Sequence, residues 1–67
     1  MAIHKVIEVL SESKKGWEDA AQKAVVDASR TVKNIRSLYV KEMTASVKDG
    51  EIVRYRLNAN ITFELTE

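Results

Sequence analysis

Hydrophobic and polar residues alternate near the end of the chain, from Glu51 to Leu65. One side of this segment carries Val53, Tyr55, Leu57, Ala59, Ile61, Phe63 and Leu65. The other side carries Ile52, Arg54, Arg56, Asn58, Asn60, Thr62 and Glu64. A period of two over this length predicts a half-buried β-strand.

The predicted strand is long for the size of the chain. At roughly 3.4 Å per residue it would span about 50 Å if it were straight. A compact chain of 67 residues should have a radius of gyration of about 11 Å and a diameter near 30 Å. The strand therefore either coils strongly or has its ends buried by other copies of the chain, and we favour the second interpretation.

The remaining segments predict two further strands and a helix. The apolar-rich segment Ala2–Leu10 predicts a first strand, followed by a polar loop. From Gly16 or Trp17 to about Lys33 apolar residues recur every three or four positions, which predicts an amphipathic helix. This stripe consists of Trp17, Ala20, Ala21, Ala24, Val25, Ala28, Val32 and Ile35.

Strand character returns from Ser37 to Val47, and the dipeptide Asp49-Gly50 then favours a tight hairpin turn. The predicted fold is α+β, with the order β-α-β-β in one domain over residues 1–67. We expect a three-stranded antiparallel sheet with the helix across one face. The first strand should lie beside the last and connect to the second through a right-handed crossover.

Composition restricts the function classes. Eleven basic and ten acidic residues give a net charge of +1, which argues against nucleic acid or an anionic membrane as a partner. A domain this small needs an extra source of stability, and without cysteine the common remaining source is oligomerisation. No apolar run approaches the length of a membrane span or a signal peptide, so we expect a soluble cytoplasmic protein.

The sequence offers little catalytic chemistry. The single histidine, His4, has no second histidine or cysteine as a partner, and the serines have no neighbouring base. We therefore predict that the protein is not an enzyme and read His4 as a surface or interface residue. Arg54 and Arg56 share the polar face, where they could bind a planar or phosphorylated ligand or form salt bridges between subunits.

Several segments together resemble the dodecins, and the resemblance covers essentially the whole chain. They are His4–Val9 (HKVIEV), Gly16–Ala20 (GWEDA), Tyr55 and Phe63–Leu65 (FEL). The resemblance implies a hollow homododecamer with helices outside and sheets lining the interior. It also implies binding and storage of flavin, either FMN or riboflavin, with paired rings stacked between tryptophans and hydrogen-bonded by a glutamine.

The chain departs from that pattern at both contact positions. Aligned with the family, Ser37 occupies the position of the stacking tryptophan and Arg56 that of the glutamine. Tyr39 and Arg54 are further candidate contacts on the same strands, because Tyr39 could replace the stacking platform. The predicted cofactor-binding residues are thus Ser37, Tyr39, Arg54 and Arg56, and no metal ligand is predicted.

Three hypotheses follow. The first is a dodecameric flavin-binding and storage protein. The second is a dodecin-like shell that no longer binds flavin. It would serve as a scaffold, or bind a cation or a different small anionic molecule. For a cation, the strand carboxylates Glu8, Glu42, Glu51 and Glu64 would have to meet across the assembly. The third is a small enzyme or nucleic-acid module that uses the two arginines. The near-zero net charge and the missing catalytic groups disfavour this hypothesis.

Overall fold

The computed structural model describes residues 3–65. Its elements are β1 (Ile3–Ser13), α1 (Trp17–Ala28), β2 (Ile35–Lys48) and β3 (Glu51–Leu65). The sheet has the order β1-β3-β2, and both outer strands are antiparallel to β3. The predicted fold class, and the pairing of the first strand with the last, are confirmed.

The hairpin between β2 and β3 forms at the predicted dipeptide. Lys48 pairs with Glu51, and the two residues between them have positive φ angles of 52° for Asp49 and 78° for Gly50. Positive φ at both central positions is the geometry of the tight hairpin turn that Asp-Gly favours. This turn sets the register of the first two pairs of the ribbon, Lys48 with Glu51 and Val47 with Ile52, before the ladder shifts between Val47 and Ser46.

The core lies between α1 and the middle of β3. Ala20 and Ala24 from the helix meet Leu57, Ala59 and Ile61, and all five side chains are at most 8% exposed. The small alanine side chains let the helix lie close to the sheet. The predicted apolar side of β3 is therefore buried only at its centre, because Val53 and Leu65 at its two ends are 41% and 42% exposed.

An aromatic pair attaches the start of α1 to the sheet. The rings of Trp17 and Tyr55 meet edge to face, with centroids 4.8 Å apart and an interplanar angle of 78°. The indole N–H of Trp17 also donates to the carbonyl oxygen of Thr44 at 3.1 Å. Through these two contacts Trp17 anchors the helix to the sheet.

The helix ends earlier than the sequence pattern predicts. It stops at Ala28 rather than near Lys33, so Val32 and Ile35 do not extend the helical stripe. After Ala28 the chain tightens into turns, and the Ser29 hydroxyl donates to the carbonyl oxygen of Val26 at 2.7 Å. Such local side-chain bonds compete with helix continuation. Ile35 instead begins β2 opposite Phe63.

Both outer strands are longer than predicted. β1 continues past Leu10 to Ser13, although the sequence here is polar. Two serines continue its helix-facing side: the Ser11 hydroxyl donates to the carbonyl oxygen of Ala20 at 2.8 Å, and Ser13 is only 5% exposed. Satisfied hydrogen bonds allow these polar groups to be buried.

The chain is elongated, with extents of 52 × 20 × 13 Å and a radius of gyration of 13.8 Å. β1 ends opposite Tyr55, so the β2–β3 hairpin projects beyond it as a two-stranded ribbon. That ribbon exposes Val47, Ile52 and Val53. In the described part of the chain no helix has the length and apolar character needed to cross a membrane.

We predict that Ile61→Ala lowers the free energy of unfolding by about 2–5 kcal/mol, because it opens a cavity under α1. The measurement is urea denaturation followed by circular dichroism. Val26→Ala on the outer side of the helix, where Val26 is 48% exposed, is the control and should change it by less than about 0.5 kcal/mol. Equal effects of the two changes would contradict this location of the core.

Candidate binding face

One face of the sheet is not covered by α1, and we call it the open face. It is defined by the side of β3 opposite the buried Leu57 and Ile61, together with the residues that pair with it. Side chains of paired residues in an antiparallel sheet point to the same face. The open face consists of His4, Val6, Glu8, Leu10, Glu12, Ser37, Tyr39, Glu42, Thr44, Ser46, Arg54, Arg56, Asn58, Asn60, Thr62 and Glu64.

The two predicted arginines meet at one carboxylate near the hairpin end of this face. Arg56 Nε donates to Glu12 Oε1 at 2.8 Å, and Arg54 Nη1 lies 3.7 Å from Glu12 Oε2. The hydrogen bond from Arg56 lowers the pKa of Glu12, and the charges of both arginines add to the effect. Within the chain, both arginines therefore form salt bridges with Glu12, an arrangement that the sequence did not predict.

A second ion pair lies near the middle of the open face. Lys41 Nζ is 3.0 Å from Glu8 Oε2. Hydrogen bonding from Lys41, and more weakly from the Asn58 amide, lowers the pKa of Glu8. The carbonyl oxygen of the same side chain, Asn58 Oδ1, is buried and accepts no hydrogen bond within residues 3–65. A buried acceptor without a partner is uncommon.

The predicted stacking positions lie further along the face. Ser37 pairs with Thr62, and Tyr39 pairs with Asn60. Tyr39 is 67% exposed, so its ring is free to form a platform for a planar ligand. Ser37 is also exposed, but its hydroxymethyl group offers no aromatic surface.

The four predicted contacts share the open face but form two separate groups in one chain. Ser37 lies opposite Thr62, and Thr62 is six residues along β3 from Arg56. That separation corresponds to about 20 Å along an extended strand. One subunit therefore does not bring the stacking position and the arginines together around a single ring.

Among the remaining candidates, His4 and Glu64 lie at the far end of the sheet from the hairpin, whereas Glu42 pairs with Asn58 and Glu51 lies beside the turn opposite Lys48. His4 is exposed and pairs with Glu64, whose carboxylate accepts a hydrogen bond of 3.0 Å from Arg36. Residues 3–65 contain no group of three or more histidine, cysteine or acidic side chains placed to hold a metal ion.

Sequence reasoning missed Glu12 and Lys41 as parts of this face. Glu12 fell in a predicted loop, although continued alternation through Ser11 and Ser13 would have placed it on the polar side of β1. Lys41 reaches the open face because the ladder is irregular between Val40 and Glu42. Such a bulge re-aims a side chain and has no clear sequence signal.

A β-α-β-β fold with one uncovered sheet face is the class that this geometry defines. The family model for Dodecin matches residues 3–66, and the chain belongs to the Dodecin family. The resemblance recognised in the sequence is thereby confirmed.

Comparisons with individual proteins agree with this family assignment. The chain is 32% identical to calcium dodecin of Mycobacterium tuberculosis over 65 residues, covering 97% of this chain and 92% of that protein. The crystal structure of a variant of T. thermophilus dodecin superimposes with a TM-score of 0.93 at 25% identity, with all of both chains covered. The crystal structure of the M. tuberculosis calcium dodecin gives a TM-score of 0.80 at 34% identity, covering 96% of this chain and 91% of that chain.

The ion pairs predict how stability depends on pH. The pKa values of Glu8 and Glu12 are lowered in the folded chain from an ordinary value of 4.5, and that of Asp19 from 3.8. A lowered carboxyl pKa stabilises the folded state above the ordinary value, and this contribution is lost as the pH falls through the folded pKa. We expect the urea midpoint to be constant above about pH 5 and to fall below it.

Glu12→Gln tests the assignment. It should reduce this acid-dependent loss of stability, because one of the three carboxylates is removed. Glu18→Gln in the first turn of α1, where Glu18 is exposed, is the matched control and should leave the pH profile nearly unchanged. A midpoint that rises on acidification would contradict the lowered pKa values.

Proposed function

We propose that this chain is a non-enzymatic small-molecule binding and storage protein that assembles as a homododecamer and binds flavin, FMN or riboflavin, on its open face. The observation that supports this is the position of the predicted contacts. Ser37, Tyr39, Arg54 and Arg56 all lie on the one sheet face that the helix leaves uncovered. The cytoplasmic location is part of the proposal and rests on the sequence.

The proposed site is shared between subunits. Along the strand of one chain, Ser37 lies about 20 Å and Tyr39 about 14 Å from Arg56, since they pair with Thr62 and Asn60. When two open faces meet head to tail, the arginine end of one subunit would lie over the Tyr39 end of the other. A planar ligand would then be held between Tyr39 of one copy and the guanidinium groups of the next.

Flavin affinity in this arrangement should be modest. Stacking of a nucleobase on an aromatic side chain contributes about 1–3 kcal/mol, and Ser37 supplies none of it. The exposed ring of Tyr39 is one available replacement. Arg56 can stack through its planar guanidinium group, but it must first be released from Glu12, which holds it at 2.8 Å.

Quenching of riboflavin fluorescence tests the flavin proposal. We expect saturable quenching by the wild-type protein, and binding about ten- to a hundredfold tighter for Ser37→Trp, because the change restores a stacking surface. Gln22→Trp on the exposed side of α1 is the control for a nonspecific effect of an added tryptophan. No quenching by either wild type or Ser37→Trp would rule out this flavin site.

A change at Tyr39 separates stacking from general hydrophobic binding. Tyr39→Phe should keep riboflavin affinity within a factor of about two, whereas Tyr39→Ala should weaken it about tenfold or more. Both affinities come from the same fluorescence titration. Equal affinities for Tyr39→Ala and wild type would show that Tyr39 is not the platform.

Calcium binding is the second candidate, and the 32% identity with M. tuberculosis calcium dodecin favours it. The middle of the open face holds suitable oxygen atoms: the Glu8 carboxylate, the unpartnered Asn58 Oδ1, and Glu42, which pairs with Asn58. Calcium requires six to eight oxygen ligands, so carboxylates of a neighbouring copy would have to complete the site. Lys41 forms an ion pair with Glu8, and this ion pair would have to break before calcium could bind the Glu8 carboxylate.

Isothermal titration of the chelator-treated protein with calcium chloride tests this candidate. Lys41→Ala should tighten calcium binding severalfold by removing the competing cation, and Glu8→Gln should abolish it. Glu18→Gln on α1 is the matched control. Undiminished calcium binding by Glu8→Gln would exclude the site.

A further inference from the structure

A basic cleft lies at the end of β1, next to the start of α1. It has a volume of about 400 Å³ and is lined by Glu12, Ser13, Lys14, Lys15, Lys23 and Arg54. That volume lies within the range of pockets that bind small molecules, about 300–1,000 Å³. The cleft is far along the sheet from the proposed stacking position at Ser37, and Arg54 is the one residue that it shares with the proposed flavin contacts.

Cations outnumber anions in and around this cleft. The lining includes one carboxylate, Glu12, and Asp19 lies beside it in contact with Ser13 and Lys23; both are already engaged. Glu12 is shared by Arg54 and Arg56, and Asp19 is held by Lys23 at 3.1 Å and by the Ser13 hydroxyl.

Lys14 and Lys15 add two further positive charges. Neither forms an ion pair with any residue between 3 and 65, although Lys15 is near enough for its charge to help lower the pKa of Asp19. Among the residues that line the cleft, three lysines and Arg54 face the carboxylate of Glu12, a surplus of three positive charges. The whole chain carries only +1, so the remainder of the chain is net acidic.

The local scaffold holds this charge in place. Ser13 is 5% exposed, accepts a hydrogen bond of 2.9 Å from the backbone N–H of Lys15, and donates to Asp19. These bonds fix the turn that carries Lys14 and Lys15 against the first turn of α1. The backbone that carries the two lysines is therefore held by hydrogen bonds to the buried Ser13.

We propose that this cleft is an anion site for a diphosphate group, as in a nucleoside diphosphate. A diphosphate carries two to three negative charges and several acceptor oxygens, which match the three uncompensated positive charges. Lysine ammonium groups bind phosphate oxygens as point charges, and Arg54 adds a planar donor. Glu12 opposes the ligand, because its carboxylate competes for Arg54 and Arg56.

A titration of the protein with inorganic pyrophosphate at low ionic strength tests the site. Binding is detected by phosphorus NMR. We expect saturable binding with one site per chain that weakens as salt is added, since exposed charges are screened. Lys14→Ala, Lys15→Ala and Arg54→Ala should each weaken it by about fivefold or more. Glu12→Gln should tighten it severalfold, a gain that general disruption of the fold would not give.

Lys5→Ala is the matched control, because Lys5 is an exposed lysine at the opposite end of β1. It should leave pyrophosphate affinity unchanged. ADP should compete with pyrophosphate, and adenosine should not.

Three results would overturn the proposal: no saturable binding, equal loss in Lys5→Ala and Lys14→Ala, or competition by adenosine. Because no flavin is present in this experiment, its outcome is separate from that of the riboflavin titration.

Discussion

The double pairing of β3 is the constraint on which the rest of the structure depends. β3 is the central strand and pairs with β1 from Tyr55 to Leu65 and with β2 from Glu51 to Phe63. A shift of one residue in either register would exchange the two faces of the sheet. The buried Leu57, Ala59 and Ile61 prevent such a shift, because they must lie under α1.

The same constraint organises the open face. Because the apolar side of β3 packs against the helix, its polar side lies on the open face. There it contacts the side chains of the β1 and β2 residues that pair with it. Glu12 meets Arg56, and Glu8 lies within reach of Lys41. Charge is thus largely compensated along this face, and the surplus of positive charge lies in the cleft where β1 ends and α1 begins. Ligand binding on the open face requires either a neutral planar surface such as Tyr39 or the release of an existing ion pair.

Much of the fold could be predicted from local pattern. The bounds of β3, the Asp49-Gly50 turn and the strand order followed from alternation, turn chemistry and simple topology, and the structure agrees with them. Errors arose where side-chain hydrogen bonds override pattern. Ser29 helps to end α1 at Ala28, and Ser11 and Ser13 extend β1 past Leu10.

The candidate site was less accessible to prediction. Sequence spacing placed Arg54 and Arg56 on one face but gave no sign of Glu12, because that residue belonged to a predicted loop. It also could not show that Ser37 and Arg56 lie about 20 Å apart in one chain. Strand residues that are close in a family motif can come from different subunits, and only register reveals this.

The length of β3 is the reason to propose that one chain is an incomplete unit. The structure is 52 Å long, and both ends of the apolar side of β3 are exposed, as are Val47 and Ile52 on the projecting ribbon. The most direct test is the native mass by light scattering coupled to size-exclusion chromatography. Twelve copies of the 7.6-kDa chain, about 91 kDa in total, are the predicted result. A monomer of 7.6 kDa would contradict the account of the strand and of a site shared between subunits.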